Sequence, residues 1–291
     1  AKLAESAENA QKAIEQYKSV LRTDPENREA REALKRLYAQ AESWNALVEL
    51  YRQELERTAA DDHPARAALL REIATIYRDK SKNDAALVTV LSQIVQHDDR
   101  AIDAVRELTR VYEALGRWRD LLTFQQKLAE LSENPVEKAN LYRSAARRWM
   151  DQFSNAQNAV TAYEALLDVE PADAEAQQKL RELYQKRRDW PQLYVLCEKQ
   201  LAQSEGDARV ELLQEMAKLA AERLDRGADA IALWKQILEI APGTPGILDT
   251  LEKLAEREKD AATVAEVLER RVDAAADDTA RLAALQKLGT V

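Results

Sequence analysis

The amino-acid sequence predicts an all-α fold, an α-solenoid of stacked antiparallel helical hairpins. Three observations predict it: few chain-breaking residues, apolar residues at helical spacing, and an internal repeat. The 291 residues include only six glycines and seven prolines, which leaves little room for β-hairpins or long loops. Hydrophobic residues make up 46% of the chain and charged residues 33%, a balance typical of many half-buried helices.

The charge balance and the cysteine count exclude several classes of protein. A net charge of -9 argues against a nucleic-acid partner, because such binding depends on neutralising many phosphates. No stretch of about 18 residues lacks a charge, so we expect no membrane-inserted segment. A single cysteine excludes an intrachain disulfide and favours a cytoplasmic location. A periplasmic location stays open if a signal or anchor lies outside this segment.

A tryptophan recurs at nearly constant spacing and defines the repeat. Trp44, Trp118 and Trp190 are separated by 74 and 72 residues, and Ala261 follows 71 residues later. Six residues before each of these positions, a block of the LxxLY type ends. The four blocks are Leu34 to Tyr38, Leu108 to Tyr112, Leu180 to Tyr184 and Leu251 to Ala255. The repeat is therefore about 73 residues long.

Each repeat is expected to contain four helices, which form two hairpins. In the first repeat these helices cover roughly 8–23, 27–41, 43–58 and 64–80, each with apolar residues at helical spacing. The loops are short and carry proline with Asp, Asn or Thr, which end one helix and cap the next. Four repeats, approximately 9–82, 83–154, 155–227 and 228–291, give about eight hairpins in one solenoid. Each hairpin can bury its apolar face only against the next.

The hairpins resemble the tetratricopeptide repeat family over essentially the whole chain. The family's second helix carries Ala, an aromatic residue, an aliphatic residue and Pro at fixed spacing. That pattern fits Ala13, Tyr17, Val20 and Pro25; Ala159, Tyr163, Leu166 and Pro171; and Ala230, Trp234, Ile237 and Pro242. The family's glycine after the leucine is replaced by Lys35, Thr109, Arg181 and Glu252. The resemblance implies a right-handed superhelix whose concave surface binds peptides or whole proteins.

The repeat register predicts that this sequence is a segment of a longer array. Ala1, Ala74, Ala146, Ala217 and Gly289 occupy equivalent positions, so the chain is expected to start and stop inside the same helix. Repeat proteins normally cover their terminal apolar faces with a polar capping helix, and none is recognisable here. End-to-end self-association is therefore one expected mode of assembly.

The sequence offers little catalytic or metal-binding chemistry. His63 and His97 both follow a helix beside paired aspartates, and their spacing could bring the two clusters together at a metal site, but polar loop residues that cap helices explain them better. Cys197 lies on an apolar helix face and is interpreted as a small buried hydrophobe. The tryptophans are interpreted as packing residues. No glycine-rich phosphate loop is present. We therefore expect no cofactor, no metal and no enzymatic activity.

The candidate binding residues come from the positions that the resemblance places on the concave surface. This set is locally basic although the chain is acidic. It consists of Arg36, Arg106, Arg110, Asn140, Arg147, Arg148 and Lys186. A stripe of this kind suits an acidic peptide or protein surface. The alternative is that these cations pair with neighbours such as Glu107, Glu113 or Glu182.

The leading hypothesis is a scaffold or adaptor that binds a protein or acidic peptide in a multiprotein complex. The alternative is the substrate-recruiting repeat region of a larger enzyme, such as a transferase. RNA recognition ranks last, because Glu32, Glu182, Glu211 and Asp249 interrupt a basic groove.

Overall fold

The computed structural model describes the backbone of residues 2–275 and 277–290, with side chains from residue 9 onward. Within these residues the chain forms sixteen α-helices and no β-strand, which confirms the predicted all-α class. The helices form two compact parts, the N-terminal half Ala1–Arg148 and the C-terminal half Trp149–Val291.

The helix bounds follow the predicted repeat. The first two repeats contain α1 Lys2–Thr23, α2 Arg28–Gln40, α3 Trp44–Arg57, α4 His63–Ile76, α5 Asp84–His97, α6 Ile102–Ala114, α7 Trp118–Leu131 and α8 Pro135–Asp151. The last two contain α9 Ala156–Val169, α10 Ala174–Arg187, α11 Trp190–Leu201, α12 Gly206–Glu222, α13 Gly227–Ile240, α14 Ile247–Glu258, α15 Ala261–Ala274 and α16 Asp278–Leu288. One π-helical turn, Tyr77–Ser81, extends α4.

Equivalent apolar positions build the core of every repeat. Leu34, Leu108, Leu180 and Leu251 are all at most 2% exposed. Helices that follow each other in the chain pack together, from α1 against α2 to α6 against α7 in the N-terminal half and from α9 against α10 to α15 against α16 in the C-terminal half. Because the connecting loops are short, packed neighbours run antiparallel and form hairpins.

An asparagine that is hydrogen-bonded to two helices joins the first repeat to the second. The backbone N–H of Asn83 donates to the carbonyl of Tyr77 at 3.1 Å and closes α4, while its side chain accepts from the N–H of Ala86 at 3.1 Å and caps α5. The intervening residue, Lys82, is left-handed with φ of 48°. One asparagine therefore ends one helix and starts the following one.

The same joint recurs in the C-terminal half, once with the capping side chain and once without it. The N–H of Asn155 donates to the carbonyl of Trp149 at 2.9 Å, and its side chain accepts from the N–H of Asn158 at 3.1 Å. The N–H of Arg226 donates to the carbonyl of Ala220 at 2.8 Å, but arginine supplies no side-chain cap to α13. The joint before the fourth repeat therefore lacks one hydrogen bond.

The turn before each tryptophan position also repeats. Its central residue is left-handed in all four repeats, at Glu42, Gly116, Arg188 and Lys259, with φ of 51°, 65°, 56° and 59°. Only glycine adopts this conformation without a steric cost. The repeat thus imposes one backbone shape on four different residues.

Two helix ends differ from the sequence prediction. Helix α1 begins at Lys2 rather than near residue 8, because no proline or glycine interrupts the preceding turns. Gly289 closes α16 instead of lying inside it, since glycine is a poor helix former. Ala1, its predicted equivalent at the other end, lies outside the described residues. Across the described ranges, no helix combines the length and apolar character that crossing a bilayer requires.

Candidate partner-binding surface

Polar bonds between alternate helices define the candidate surface. In the N-terminal half they join α4 to α6, through Arg71 and Asp103 and through Arg78 and Glu107, and they join α6 to α8. In the C-terminal half they join α10 to α12, α12 to α14 and α14 to α16. We call this surface in each half the even-helix face. All seven candidate binding residues belong to even-numbered helices, namely α2, α6, α8 and α10.

Arg106 is bound within the chain. Its Nη2 lies 3.0 Å from a carboxylate oxygen of Glu137, at the start of α8. The hydroxyl of Ser132, which donates to the same carboxylate at 2.7 Å, and the Arg106 guanidinium together lower the pKa of Glu137. The sequence left open the alternative that the candidate cations pair within the chain. Arg106 does so, and its partner lies 31 residues away.

Arg148 is also bound within the chain, by a carboxylate and by an aromatic ring. Its Nη2 donates to Glu113 at 2.8 Å, and its guanidinium lies 4.8 Å from the ring centroid of Trp118. The side chain is 24% exposed, and its Nη1 is buried without a hydrogen-bond partner. A cation fixed between a carboxylate and an indole contributes to packing of the second repeat.

Three candidate cations remain exposed and unpaired. Arg36 on α2, Arg110 on α6 and Lys186 on α10 form no ion pair with any residue that the structure describes. The acids considered as their partners are engaged elsewhere. Glu107 is bound by Arg78, and Glu182 accepts from Lys179 at 3.0 Å and from Gln178 at 3.1 Å.

The two other candidates lie on α8. Arg147 is exposed there, and Asn140 accepts a hydrogen bond from Arg143 at 2.8 Å. The even-helix face is thus a mixture of internally bound cations and cations available to a partner.

The family motif is buried in two of its three copies, whereas Tyr17 and Val20 of the first copy are exposed, at 37% and 39%. Tyr163 and Leu166 in α9, and Trp234 and Ile237 in α13, are all buried at the positions that the family motif assigns to its core. The chain is an all-α array of repeated antiparallel helical hairpins.

Comparisons with known proteins return solved structures of low sequence identity and low structural similarity. No protein-family model and no curated protein matches the sequence. A tetratricopeptide repeat protein from Parabacteroides merdae is 15% identical, with 94% of this chain and 98% of that chain covered and a TM-score of 0.31. The C-terminal part of a repeat protein from Cytophaga hutchinsonii is 15% identical, with 84% and 96% covered and a TM-score of 0.32. The MamA protein is 17% identical, with 60% and 90% covered and a TM-score of 0.29.

Each recurrent tryptophan contacts a cation, and Trp118 is 36% exposed. Trp44, Trp118 and Trp190 begin α3, α7 and α11. A cation from the last helix of the same repeat covers each ring. These are Lys80 at 5.2 Å, Arg148 at 4.8 Å and Arg223 at 5.2 Å from the ring centroid. The recurring contact ties the two helices of the second hairpin together.

The two histidines lie together, as their spacing in the sequence allows. Nδ1 of His63 lies 3.0 Å from Nδ1 of His97, and Nε of Arg66 donates to Nε2 of His97 at 3.3 Å. With Nε2 accepting, the neutral ring of His97 has its proton on Nδ1 and donates to His63. Partial burial, followed by the charges of Arg66 and His63, lowers the pKa of His97. Arg66 also donates to the carbonyls of Leu55 and Thr58, so this cluster closes the end of α3.

Sequence reasoning missed a polar network around the single cysteine. Cys197 is fully buried, and burial raises the pKa of its thiol to about 11, consistent with the predicted structural role. Arg181 lies beside it, pairs with Glu215 and donates to Gln200 at 2.7 Å. Arg181 occupies the place of the family's glycine, and that departure was the only sequence signal for the network. Throughout the described ranges, no group of three His, Cys, Asp or Glu side chains could hold a metal ion.

Proposed function

We propose that this chain is a non-enzymatic scaffold that binds a partner protein or an acidic peptide through its even-helix face. The supporting observation is the presence of exposed cations without acidic partners on that face, although the chain has a net charge of -9. Arg36 and Arg110 supply them in the N-terminal half, and Lys186 supplies one in the C-terminal half.

The chemistry of these side chains favours carboxylate ligands. A guanidinium presents a planar fork that binds a carboxylate through two parallel hydrogen bonds. Because these arginines form no ion pair with the described residues, a partner's acid does not first have to displace an acid of that part of the chain. Complementary charge also speeds the encounter and selects against basic partners.

The helices are already folded, so binding needs little ordering of the chain. Packing between helices and the bonds between even-numbered helices fix the backbone before the partner arrives. A preformed surface loses less conformational entropy on binding than a segment that folds with its partner. Many shallow contacts can therefore give useful affinity without a deep pocket.

Affinity capture from the native cell tests this proposal. The wild-type chain is compared with a variant that carries Arg36→Glu, Arg110→Glu and Lys186→Glu. The control carries Arg22→Glu, Lys127→Glu and Lys199→Glu, the same charge change placed on the odd-numbered helices α1, α7 and α11. Circular dichroism checks that both variants fold.

We expect the even-helix variant to lose at least tenfold in recovery of one partner that the control retains. Equal recovery by both variants would contradict the proposal, because the binding surface would then lie away from the even-helix face.

A further inference from the structure

Three cavities of similar size in the C-terminal half differ in how their cations are used. Their volumes are about 580, 600 and 540 Å³. The first lies among α14, α15 and α16, where Arg271 and Lys287 both bind the buried carboxylate of Glu252. The third lies among α10, α11 and α12, where Arg181 binds Glu215. In both of these cavities the cations are neutralised within the chain.

The cavity of about 600 Å³ is different, because its two lysines form no ion pair with the described residues. It lies between α12 and α14 beside the loop 244–246, and we call it the α12–α14 groove. Lys218 comes from α12 and Lys253 from α14, and both are exposed. Arg257 pairs with Glu258 at 3.0 Å and Glu222 is the one acid in the lining, so the two lysines give the groove a small excess of positive charge in an acidic chain.

The groove also has an apolar floor. Trp234 and Leu254 line it, and each is 7% exposed. Nη2 of Arg257 donates to the backbone carbonyl of Ala221 at 3.3 Å, which ties α14 to α12. A cationic rim over an apolar floor matches an extended segment that carries both carboxylates and an aliphatic side chain.

We propose that the α12–α14 groove anchors an extended acidic segment of the partner protein. Its carboxylates lie on Lys218 and Lys253, and an aliphatic side chain lies over Leu254 and Trp234. This inference rests on the proposed function and gives it a specific anchor, beyond the residues that the sequence singled out. A protein segment is favoured over a nucleic acid because the even-numbered helices α10, α12 and α14 carry Glu182, Glu211 and Asp249 on the surface.

Fluorescence anisotropy with the full chain tests the anchor. The probe is a fluorescein-labelled peptide of six alternating glutamate and leucine residues, and a second probe has glutamine in place of every glutamate. The test variant carries Lys218→Glu and Lys253→Glu. The control carries Lys127→Glu and Lys199→Glu, which change the net charge equally on odd-numbered helices.

We expect the acidic probe to bind the wild type and the control with Kd values within twofold of each other. The test variant should bind it at least tenfold more weakly, and the glutamine probe should show a similar loss with the wild type. Raising the salt concentration from 50 to 300 mM should weaken binding of the acidic probe, because the contacts are charge pairs near the surface.

Several outcomes would overturn the anchor. They are absence of binding of the acidic probe to the wild type, equal binding by the test variant, and tighter binding of a labelled oligothymidylate than of the peptide. If the Arg36→Glu, Arg110→Glu and Lys186→Glu variant loses the probe while the Lys218→Glu and Lys253→Glu variant retains it, the proposed function stands and the anchor is wrong. If native partners are also recovered equally by the even-helix variant and its control, the proposed function fails as well.

Discussion

The left-handed turn that recurs in each repeat allows the cost of backbone strain to be measured by two substitutions. One substitution adds the strain and the other removes it. Gly116 and Glu42 occupy equivalent positions in the N-terminal half, with φ of 65° and 51°. Replacing Gly116 by alanine adds a Cβ to a left-handed residue, whereas replacing Glu42 by glycine removes one. Both residues are exposed, and a Cβ built on Gly116 meets no heavy atom within 4 Å. The two changes therefore alter backbone strain without altering packing.

Because packing is unchanged, the expected change in the free energy of unfolding can be worked out from backbone strain and the unfolded chain alone. An L-residue in the left-handed region costs about 1–2 kcal/mol. Alanine recovers about 0.4–1 kcal/mol of this because it restricts the unfolded chain more than glycine does. Gly116→Ala should therefore lower the free energy of unfolding by about 1 kcal/mol, and Glu42→Gly should raise it by up to about 1 kcal/mol.

Urea unfolding followed by circular dichroism measures both effects. With an m-value of about 2 kcal/mol/M, each kcal/mol moves the midpoint by about 0.5 M. Gly116→Asn serves as a control, because asparagine tolerates the left-handed region better than alanine and should lose less. The reasoning would be refuted if Gly116→Ala were as stable as the wild type, or if it lost more than about 3 kcal/mol, which would indicate packing rather than strain.

Three further predictions follow from burial and titration. Leu108→Ala should lower the free energy of unfolding by about 3–5 kcal/mol, because the side chain is fully buried. Leu115 is exposed, so Leu115→Ala should change that free energy by less than about 0.5 kcal/mol. Similar losses for the two variants in urea unfolding would contradict the assignment of Leu108 to the core. Because the pKa of His97 is lowered, the unfolded chain binds its proton at a higher pH than the folded chain. Stability should therefore fall as the pH drops below about 6.5 and through the folded pKa, and thermal melting should show a weaker pH dependence in His97→Gln; an unchanged dependence would show that the contact with His63 is not coupled to folding. Cys197 should resist a thiol reagent at pH 8 in the native chain and react in urea, because it is buried and its pKa is about 11; rapid native labelling would contradict this.

The sequence predicts the helices and the repeat well, because both depend on local patterns. Leu34 and Leu108 are buried at equivalent positions because the apolar spacing of each helix allows only one face to turn inward. The tryptophans were likewise recognisable from their period alone.

The charge pairs could not be predicted in the same way. Arg106 pairs with Glu137 on another helix, while the adjacent Glu107 binds Arg78. Which acid an arginine reaches depends on the offset between neighbouring even-numbered helices, and no sequence period encodes that offset. The groove at Lys218 and Lys253 was missed for a related reason, since it becomes visible only when two helices and a loop are brought together.

The asparagine joints have a mechanical consequence. At Asn83 and Asn155 a single residue is bonded to both helices, so tension along the chain is carried by the backbone and by a side-chain bond in parallel. At Arg226 the side-chain bond is missing, and a cap of this kind stabilises a helix by about 1 kcal/mol. Of these three joints, the one at the start of α13 should therefore resist tension least.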